Sequence, residues 1–360
     1  SLVLAVFPGA LQRKGRMLIG VEGRKSKVES WPGRHLDVER FASSVERSPR
    51  PRPAAMPIVS VLMVTHRVTP YLRDAVASVL AQSLADLELV LVDNGAGLKP
   101  EDLGPAGRDP RVRIVPLAAN QGIPAGHNAG VAAARGEFLA LLDHDDVMLP
   151  LRLERQVARL RADPGLGLVS SLAESIDANG RVTAREFALV EPAAQRRYSE
   201  FAAPVVTPAY TGRREIFTAL PYRAAFTFTA DFDFLARAAE RCAMAAVPEV
   251  LLQYRHHAAQ TTVEQATRIA RERCVVRLLA ARRRAGRDEG TDWTGWLVAD
   301  TDGRSESAML REFAERFLAD GFPVQAAYHA RRSFAANRSP GALAAAVGLA
   351  WRAWRAAGAD

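Results

Sequence analysis

Three carboxylates stand within four residues at Asp143, Asp145 and Asp146, with His144 between the first two. Acids this close repel one another and require water or a cation as compensation. Hard divalent ions such as magnesium or manganese accept carboxylate oxygens and keep positions for water and substrate phosphates. An acidic loop could instead serve only to cap the helix that begins near LPLRLERQ, with Asp146 as the capping residue. What favours chemistry is that the cluster closes an apolar run, EFLALLD, and that two other polar clusters do the same. Thr65-His66-Arg67 ends PIVSVLMVT, and Asp93-Asn94-Gly95 ends LELVLVD. A further acid, Asp231, opens the helical pattern DFDFLARAAERCA.

The elements that must position these groups follow from the spacing. The near-continuous β-branched runs PIVSVLMVT, LELVLVD, VRIVPL and EFLALLD predict strands covered on both faces. Thr69-Pro70 predicts a helix start with the proline in first position, carrying Leu72, Val76, Val79 and Leu80 on one face. PAGHNAGVAAARG predicts a helix of small residues closed by Gly136. PLRLERQVARLRADP predicts another, with Leu153, Val157 and Leu160 facing inward. LGLVSSLAESID is a strand entering the ANG turn, and VPEVLLQYRHH is a later strand. DFDFLARAAERCA buries Leu235, Ala238, Ala239 and Cys242 on one side. Alternating strands and helices define an α/β domain with a mainly parallel sheet. In such sheets ligands bind at the carboxyl ends of the strands, which is where all three polar clusters fall.

Composition bounds the rest. Hydrophobic content of 48% and charged content of 24% are ordinary for a globular chain of 360 residues. The formal net charge of +8 favours anionic partners without choosing among them. Cys242 and Cys274 have neither zinc nor redox spacing, and read as buried thiols in a reducing cytoplasm. No apolar run is long enough for a membrane span, and the opening SLVLAVFPGA has its basic residues after the apolar stretch, unlike a secretory signal. Residues 1–55 lack a sustained period and read as a disordered or non-native tail. The α/β domain is assigned to 56–262 and a helical extension, with room for two hairpins, to 263–360. No helix-turn-helix, zinc or aromatic-stacking signature for nucleic acid is found.

From Pro57 to about Thr262 the chain resembles a family-2 glycosyltransferase with the GT-A fold. The resemblance is carried in order by VSVLMVTHR, LELVLVDNGA, NQGIPAGHNAGVAAARGEFLALLDHDD, TADFDFLAR and YRHH. It implies a nucleotide-diphosphate sugar as donor, magnesium or manganese as cofactor, and a glycan or lipid-linked acceptor, as in envelope or exopolysaccharide synthesis. Asp93 is then expected to bond the nucleotide base. Thr65, His66, Arg67, Asn120, Gly122 and Asn128 are expected around the nucleotide, and Asp143 near the ribose or sugar. Asp145 and His257 are expected at the metal, and Asp231 as the base that takes the acceptor's proton, giving inversion. Arg213 and Arg214 are candidates for the acceptor or diphosphate, with Asp233 as a second acid.

The chain departs from the family pattern at Ala230, which stands where an acid usually precedes the base, at Arg67 and at Asn94. Ala230 and Asn94 keep open a nucleotide-sugar-binding protein without turnover. A nucleotidyltransferase would need a glycine-rich phosphate loop after the first strand, and VLMVTHRVTP lacks the glycines. His144 is read as an outer contact of the acidic cluster, and His66 and His127 as pocket-wall residues. The basic run ARRRAGR and the tryptophans of LAWRAWRAAG suggest peripheral contact with an anionic membrane at its cytoplasmic face. The plainer alternative is that Trp351 and Trp354 pack the last helix inward.

Overall fold

A computed structural model describes residues 56–185, 189–198, 206–298 and 305–356; the expected tail, 1–55, lies outside the described residues. All of them belong to one compact unit, Arg47–Asp360. The first half alternates strand and helix: β1 (Val59–Thr65), α1 (Leu72–Leu80), β2 (Leu87–Asn94), β3 (Val112–Leu117), α2 (Ile123–Ala133), β4 (Phe138–Leu141), the short β5 (Val147–Met148), and α3 (Arg152–Ala162). Then come β6 (Leu166–Ile176), β7 (Val182–Arg185), α4 (Pro192–Tyr198), β8 (Thr211–Arg213), α5 (Arg214–Ala219), α6 (Ala230–Ala238) and β9 (Ala243–Arg255). The remainder is helical: α7 (Thr261–Glu264), α8 (Ala266–Arg284), α9 (Thr294–Val298), α10 (Glu306–Ala319), α11 (Pro323–Ala336) and α12 (Pro340–Ala356).

The strands form one mixed sheet in the order β3-β2-β1-β4-β8-β6-β9-β5, with β7 beside β6. Its long pairings, β1 with β2, β2 with β3, and β6 with β9, are parallel. The antiparallel pairings of β8 with β4 and β6 are only two or three residues long. Every residue of β2 is buried, as its near-continuous apolar run requires for a strand covered on both faces. On one face the core gathers Leu72, Val76 and Val79 of α1 with Leu153, Val157 and Leu160 of α3. On the other it gathers Leu62, Val92, Val131, Phe234 and Leu235.

The small residues of α2 have a steric cause. A Cβ on Gly130 would lie 1.9 Å from Leu62 Cδ1, and one on Gly126 would lie 2.6 Å from Val64 Cγ1. The helix therefore rides directly on β1, and its first turn is held beside the strand ends. Helix α1 begins two residues later than Thr69-Pro70 predicts. Pro70 and Tyr71 form a turn closed by Leu72 N–H on Thr69 O at 3.3 Å, so the proline initiates the chain reversal ahead of the helix. Helix α6 also ends earlier than its pattern suggests. Cys242 sits in the following turn, against Gly167 of β6.

The C-terminal helices are bound to the α/β layer by an apolar cluster. Phe226, Phe232 and Ala236 meet Cys274, Val275, Leu278 and Leu279 of α8, which in turn covers Phe313 and Phe317 of α10. Beyond it α10, α11 and α12 share Ala314, Ala330, Ala346 and Leu349. The basic run at 281–287 does not form a free cationic surface. Arg282 pairs with Asp292 and Asp320, and Arg283 with Glu240 and Glu289, so these guanidiniums tie the helices together. Trp351 does not pack inward either: it is 55% exposed, with the Arg355 guanidinium 4.9 Å from its ring. Trp354 lies outside the described side chains.

Candidate active site

A cavity of about 460 Å³ opens at the carboxyl ends of β1, β2 and β4. His66, Asn94, Gly122, the 143–145 loop, Thr207 and Asp231 line its sides, and residues 260–269, including Gln260 and Ile269, contribute from the start of the helical region. Three chain regions far apart in sequence thus converge on one space.

Asp143, Asp145 and Asp146 offer oxygens that lie within 4.8 Å of one another. Each is held differently. Asp145 Oδ2 lies 2.9 Å from His257 Nε2, while its carbonyl accepts from Arg255 Nε at 2.8 Å. Asp146 is fully buried and accepts the Arg255 N–H at 2.8 Å through Oδ1, whereas its Oδ2 has no partner. It therefore joins the acidic loop to the end of β9 instead of capping α3. Asp143 faces the cavity, but the surrounding protein, followed by the charges of Asp145 and Asp231, pushes its carboxyl up to about 8. Water entering the cavity tempers that rise, because an exposed carboxylate recovers part of its hydration. Burial likewise drives Asp146 well above the usual carboxylate range, with Asp143 and Asp145 adding to it. Such a cluster is suited to a divalent cation, which would relieve all three.

Beneath the loop lies Arg152, also fully buried. It donates to the Leu141 carbonyl at 2.9 Å and to Gln156 Oε1 at 3.1 Å. Burial lowers its guanidinium to about 9, against the opposing pull of Asp146 and Asp143. Tyr71 packs over the other flank, with the Arg255 guanidinium 4.7 Å and the His257 ring 4.8 Å from its ring. Burial lowers the affinity of His144 and His127 for a proton, so both favour the neutral ring.

Asp231 sits in the first turn of α6. Its Oδ2 accepts from Thr207 Oγ1 at 2.6 Å and its Oδ1 from the Phe232 N–H at 2.7 Å. The approach to that helix is anchored by Glu272 of α8, whose Oε2 accepts from Phe228 N–H, Thr229 N–H and Thr229 Oγ1, each at 2.9 Å. Ala230 is fully buried in the core beside Phe234 and Tyr222, so an acid there would face the apolar cluster.

The remaining expected residues are distributed unevenly. Asn94 reaches the cavity, donating to Gly122 O at 3.0 Å and accepting from Gln121 N–H at 2.9 Å, so it shapes the loop before α2. Asn120 lines the wall and accepts the Gly122 N–H at 2.9 Å. Asp93 is buried behind them, with its oxygens on the N–H groups of Ala96 and Leu98. Thr65 is buried below the rim, and Arg67 bonds the Ala259 carbonyl. Asn128 exchanges two hydrogen bonds with the backbone of Tyr222, each 2.8 Å.

The acceptor candidates are not on the cavity wall. Arg213 donates to the carbonyls of Leu160 and Leu166 and, like Arg214, lies at the β8–α5 junction. Asp233 is fully buried in an ion-pair cluster with Arg223 and Arg237. Conversely, no pattern marks Thr207, which lies in an aperiodic stretch, or Arg152 and Glu272, charged residues inside helical patterns. Arg255 was visible only as a letter of YRHH.

A parallel-centred α/β layer with an acidic loop at its strand ends, facing a carboxylate at a helix start, defines a GT-A glycosyltransferase domain. The glycosyl transferase family 2 model matches residues 60–220. An uncharacterized glycosyltransferase of Methanocaldococcus jannaschii, MJ1057, is 30% identical over 206 residues, covering 55% of this chain and 71% of that protein. The succinoglycan biosynthesis protein ExoO of Rhizobium meliloti is 36% identical over 107 residues, 30% of this chain and 31% of that one. Among solved structures, S. aureus TarS 1-349 aligns with a TM-score of 0.51 at 16% identity, covering 81% of this chain and 88% of TarS. Its complex with UDP-GlcNAc gives 0.50 at 14%, covering 81% and 89%, and at such identity the likeness concerns the fold. The chain belongs to glycosyltransferase family 2, and the protein is a glycosyltransferase.

Proposed function

We propose that the protein transfers a sugar from a nucleoside-diphosphate sugar to a hydroxyl of a glycan or lipid-linked acceptor, with inversion and with Asp231 as base. The observation that carries this reading is that Asp231 and the acidic loop line the same cavity. The donor reading is supported further by the UDP-GlcNAc complex of the TarS fold relative. Both Asp231 oxygens are already oriented, by Thr207 and by the Phe232 N–H, and a carboxylate oxygen has lone pairs enough to accept a further proton. The acceptor hydroxyl gives its proton to Asp231 as its oxygen bonds the anomeric carbon and the nucleoside diphosphate departs. One base and no protein nucleophile give a single displacement, hence inversion.

The acidic loop fits magnesium or manganese, because the raised carboxyls of Asp143 and Asp146 and the unpartnered Asp146 Oδ2 call for a positive charge. Asp145 and Asp143 would hold it, with His257 orienting Asp145. When bound, the ion supplies electrostatic stabilisation of the departing diphosphate. Asn94, Asn120 and Gly122 form the side where the nucleotide would lie.

The reaction is assigned to the cytoplasmic face of a membrane. Among the described residues no helix is long and apolar enough to cross one. Leu343, Val347 and Trp351 form an exposed apolar row on α12, and residues 321–356 carry five arginines and no acid. Such a face suits an anionic bilayer. Calorimetric titration of UDP, GDP and dTDP with manganese, followed by transfer assays on the sugar nucleotide that binds, tests the activity. Nucleotide binding without hydrolysis or transfer to any envelope extract would instead leave a binding protein.

A further inference from the structure

Phe226, Phe228 and Phe232 stand around the start of α6 and are used differently. Phe226 is fully buried, with its ring 5.5 Å from that of Trp293, and Phe232 packs into the same apolar cluster. Phe228 is only half-buried, joins none of the apolar clusters among the described residues, and lines the cavity that holds Asp231. Its place is nevertheless fixed, because its N–H donates to Glu272 Oε2 at 2.9 Å. Pro208 and Ile269, both buried, also line that cavity, and Thr227, Thr261 and Gln265 add uncharged hydrogen-bonding groups. Among the described lining residues there are four acids, Asp143, Asp145, Asp231 and Glu264, and no lysine or arginine. Even with Asp143 and Asp145 compensated, Asp231 and Glu264 remain to repel a second anion. A neutral sugar suits such a lining. Its C–H face carries slight positive charge, which the negative face of an aromatic ring attracts, and its hydroxyls match the threonines and the amide.

We propose that Phe228 stacks against the acceptor's terminal sugar and that this sugar is uncharged, so that the acceptor is a glycan ending in a neutral pyranose whose hydroxyl meets Asp231. The inference deepens the reading of Asp231 as base and rests on it. Phe228 and Asp231 belong to one short segment held by Glu272 at one end and by Thr207 at the other. Stacking fixes the plane of the sugar, and with it which hydroxyl turns to the carboxylate. The nucleotide is assigned to the side formed by Asn94, Asn120 and Gly122, which leaves the ring of Phe228 for the acceptor.

The test is saturation-transfer NMR of methyl β-glucoside, methyl β-galactoside, methyl α-mannoside and methyl β-N-acetylglucosaminide on the full chain, with UDP and manganese present. It compares wild type, Phe228→Ala, Phe228→Leu and Phe228→Trp, with methyl β-glucuronide as the acidic probe. Phe228 lies outside the apolar clusters, so the fold tolerates these changes. At least one neutral glycoside should bind wild type and Phe228→Trp, and bind the Ala and Leu variants about fivefold or more weakly. Leucine keeps apolar bulk but loses the flat face, so full binding there would point to an alkyl chain and overturn the proposal. Binding of no neutral glycoside by wild type, equal binding by the Ala variant, or tighter binding of the glucuronide than of the glucoside would each overturn it too. UDP affinity should be unchanged in the Phe228 variants; a loss in Phe228→Ala would move the ring to the donor and sink the idea. Transfer assays keep the two readings apart. Glycoside binding with no transfer by wild type from any sugar nucleotide sinks Asp231 as base and leaves the sugar site. Transfer that persists in Phe228→Ala with acceptor KM unchanged sinks the sugar site and leaves the base.

Discussion

Thr207 Oγ1 donates to Asp231 Oδ2 at 2.6 Å, linking the short turn before β8 to the first turn of α6. The bond fixes which carboxylate oxygen turns toward the cavity. Asp231→Asn should lower kcat about 1,000-fold while nucleotide binding persists, as expected for a lost general base. Thr207→Val should cost about tenfold in kcat with donor KM unchanged, and Thr207→Ser should restore it. Steady-state kinetics with varied donor decide the matter; a rise in donor KM alone would place Thr207 on the nucleotide instead.

His257 and Asp145 form the second relationship of consequence, at 2.9 Å. Removing the ring frees Asp145 to rotate and weakens the cation site. His257→Ala should weaken manganese-dependent nucleotide binding by about 10–100-fold, and Asp145→Ala should abolish it. Calorimetry at fixed manganese measures both, and an unchanged affinity in either variant would remove that residue from the site.

Glu272 reaches from α8 to hold the chain just before Asp231, accepting three hydrogen bonds through one oxygen. Glu272→Ala leaves those buried donors unpaired, which costs about 1–3 kcal/mol in urea unfolding. Glu272→Gln keeps an acceptor oxygen and should recover most of that loss. A parallel fall in kcat for the Ala variant, without a change in donor KM, would identify Glu272 as a positioning residue.

The seat of α2 on β1 is tested at Gly130. Gly130→Ala drives a methyl toward Leu62 Cδ1 and should destabilise by about 1–3 kcal/mol. Gly348→Ala on α12 meets nothing within 4 Å and should stabilise by up to about 1 kcal/mol. Thermal unfolding of the two variants, compared with wild type, reads the difference in sign.

Burial, followed by the charges of Arg277 and Arg332, holds His329 well below its ordinary value, with its ring stacked on Phe317. The folded chain therefore refuses a proton that the unfolded chain accepts. Stability should be fully present above the unfolded value near 6.5 and fall as the pH drops below it. His66, His127 and His144 are shifted in the same direction and add to the slope. The raised carboxyls of Asp143 and Asp146 act in the opposite direction, so the test is the difference between two proteins: from about pH 7.5 to pH 5.5 the urea midpoint should fall more, or rise less, in wild type than in His329→Gln. Equal slopes would mean that His329 is protonated in the fold.

What the sequence determined was the α/β alternation, the strands behind the polar clusters and the small residues of α2. These are local matters of period, branching and turn chemistry. Leu153, Val157 and Leu160 are buried as their spacing requires. Spacing could not tell which charged residues point inward, because Arg152, Arg271, Glu272 and Arg277 are buried in helices that also expose Glu154, Arg155, Arg268 and Arg273. Nor could it separate Asp93, turned into its own loop, from Asn94, turned onto the cavity; that choice follows from the hydrogen bonds to Ala96 and Leu98 on one side and to Gly122 on the other. The arginines of 281–287 became ion-pair ties only once Glu240, Glu289, Asp292 and Asp320 were brought beside them. Long-range packing decided these outcomes, since a side chain's partner is set by what the fold places across from it.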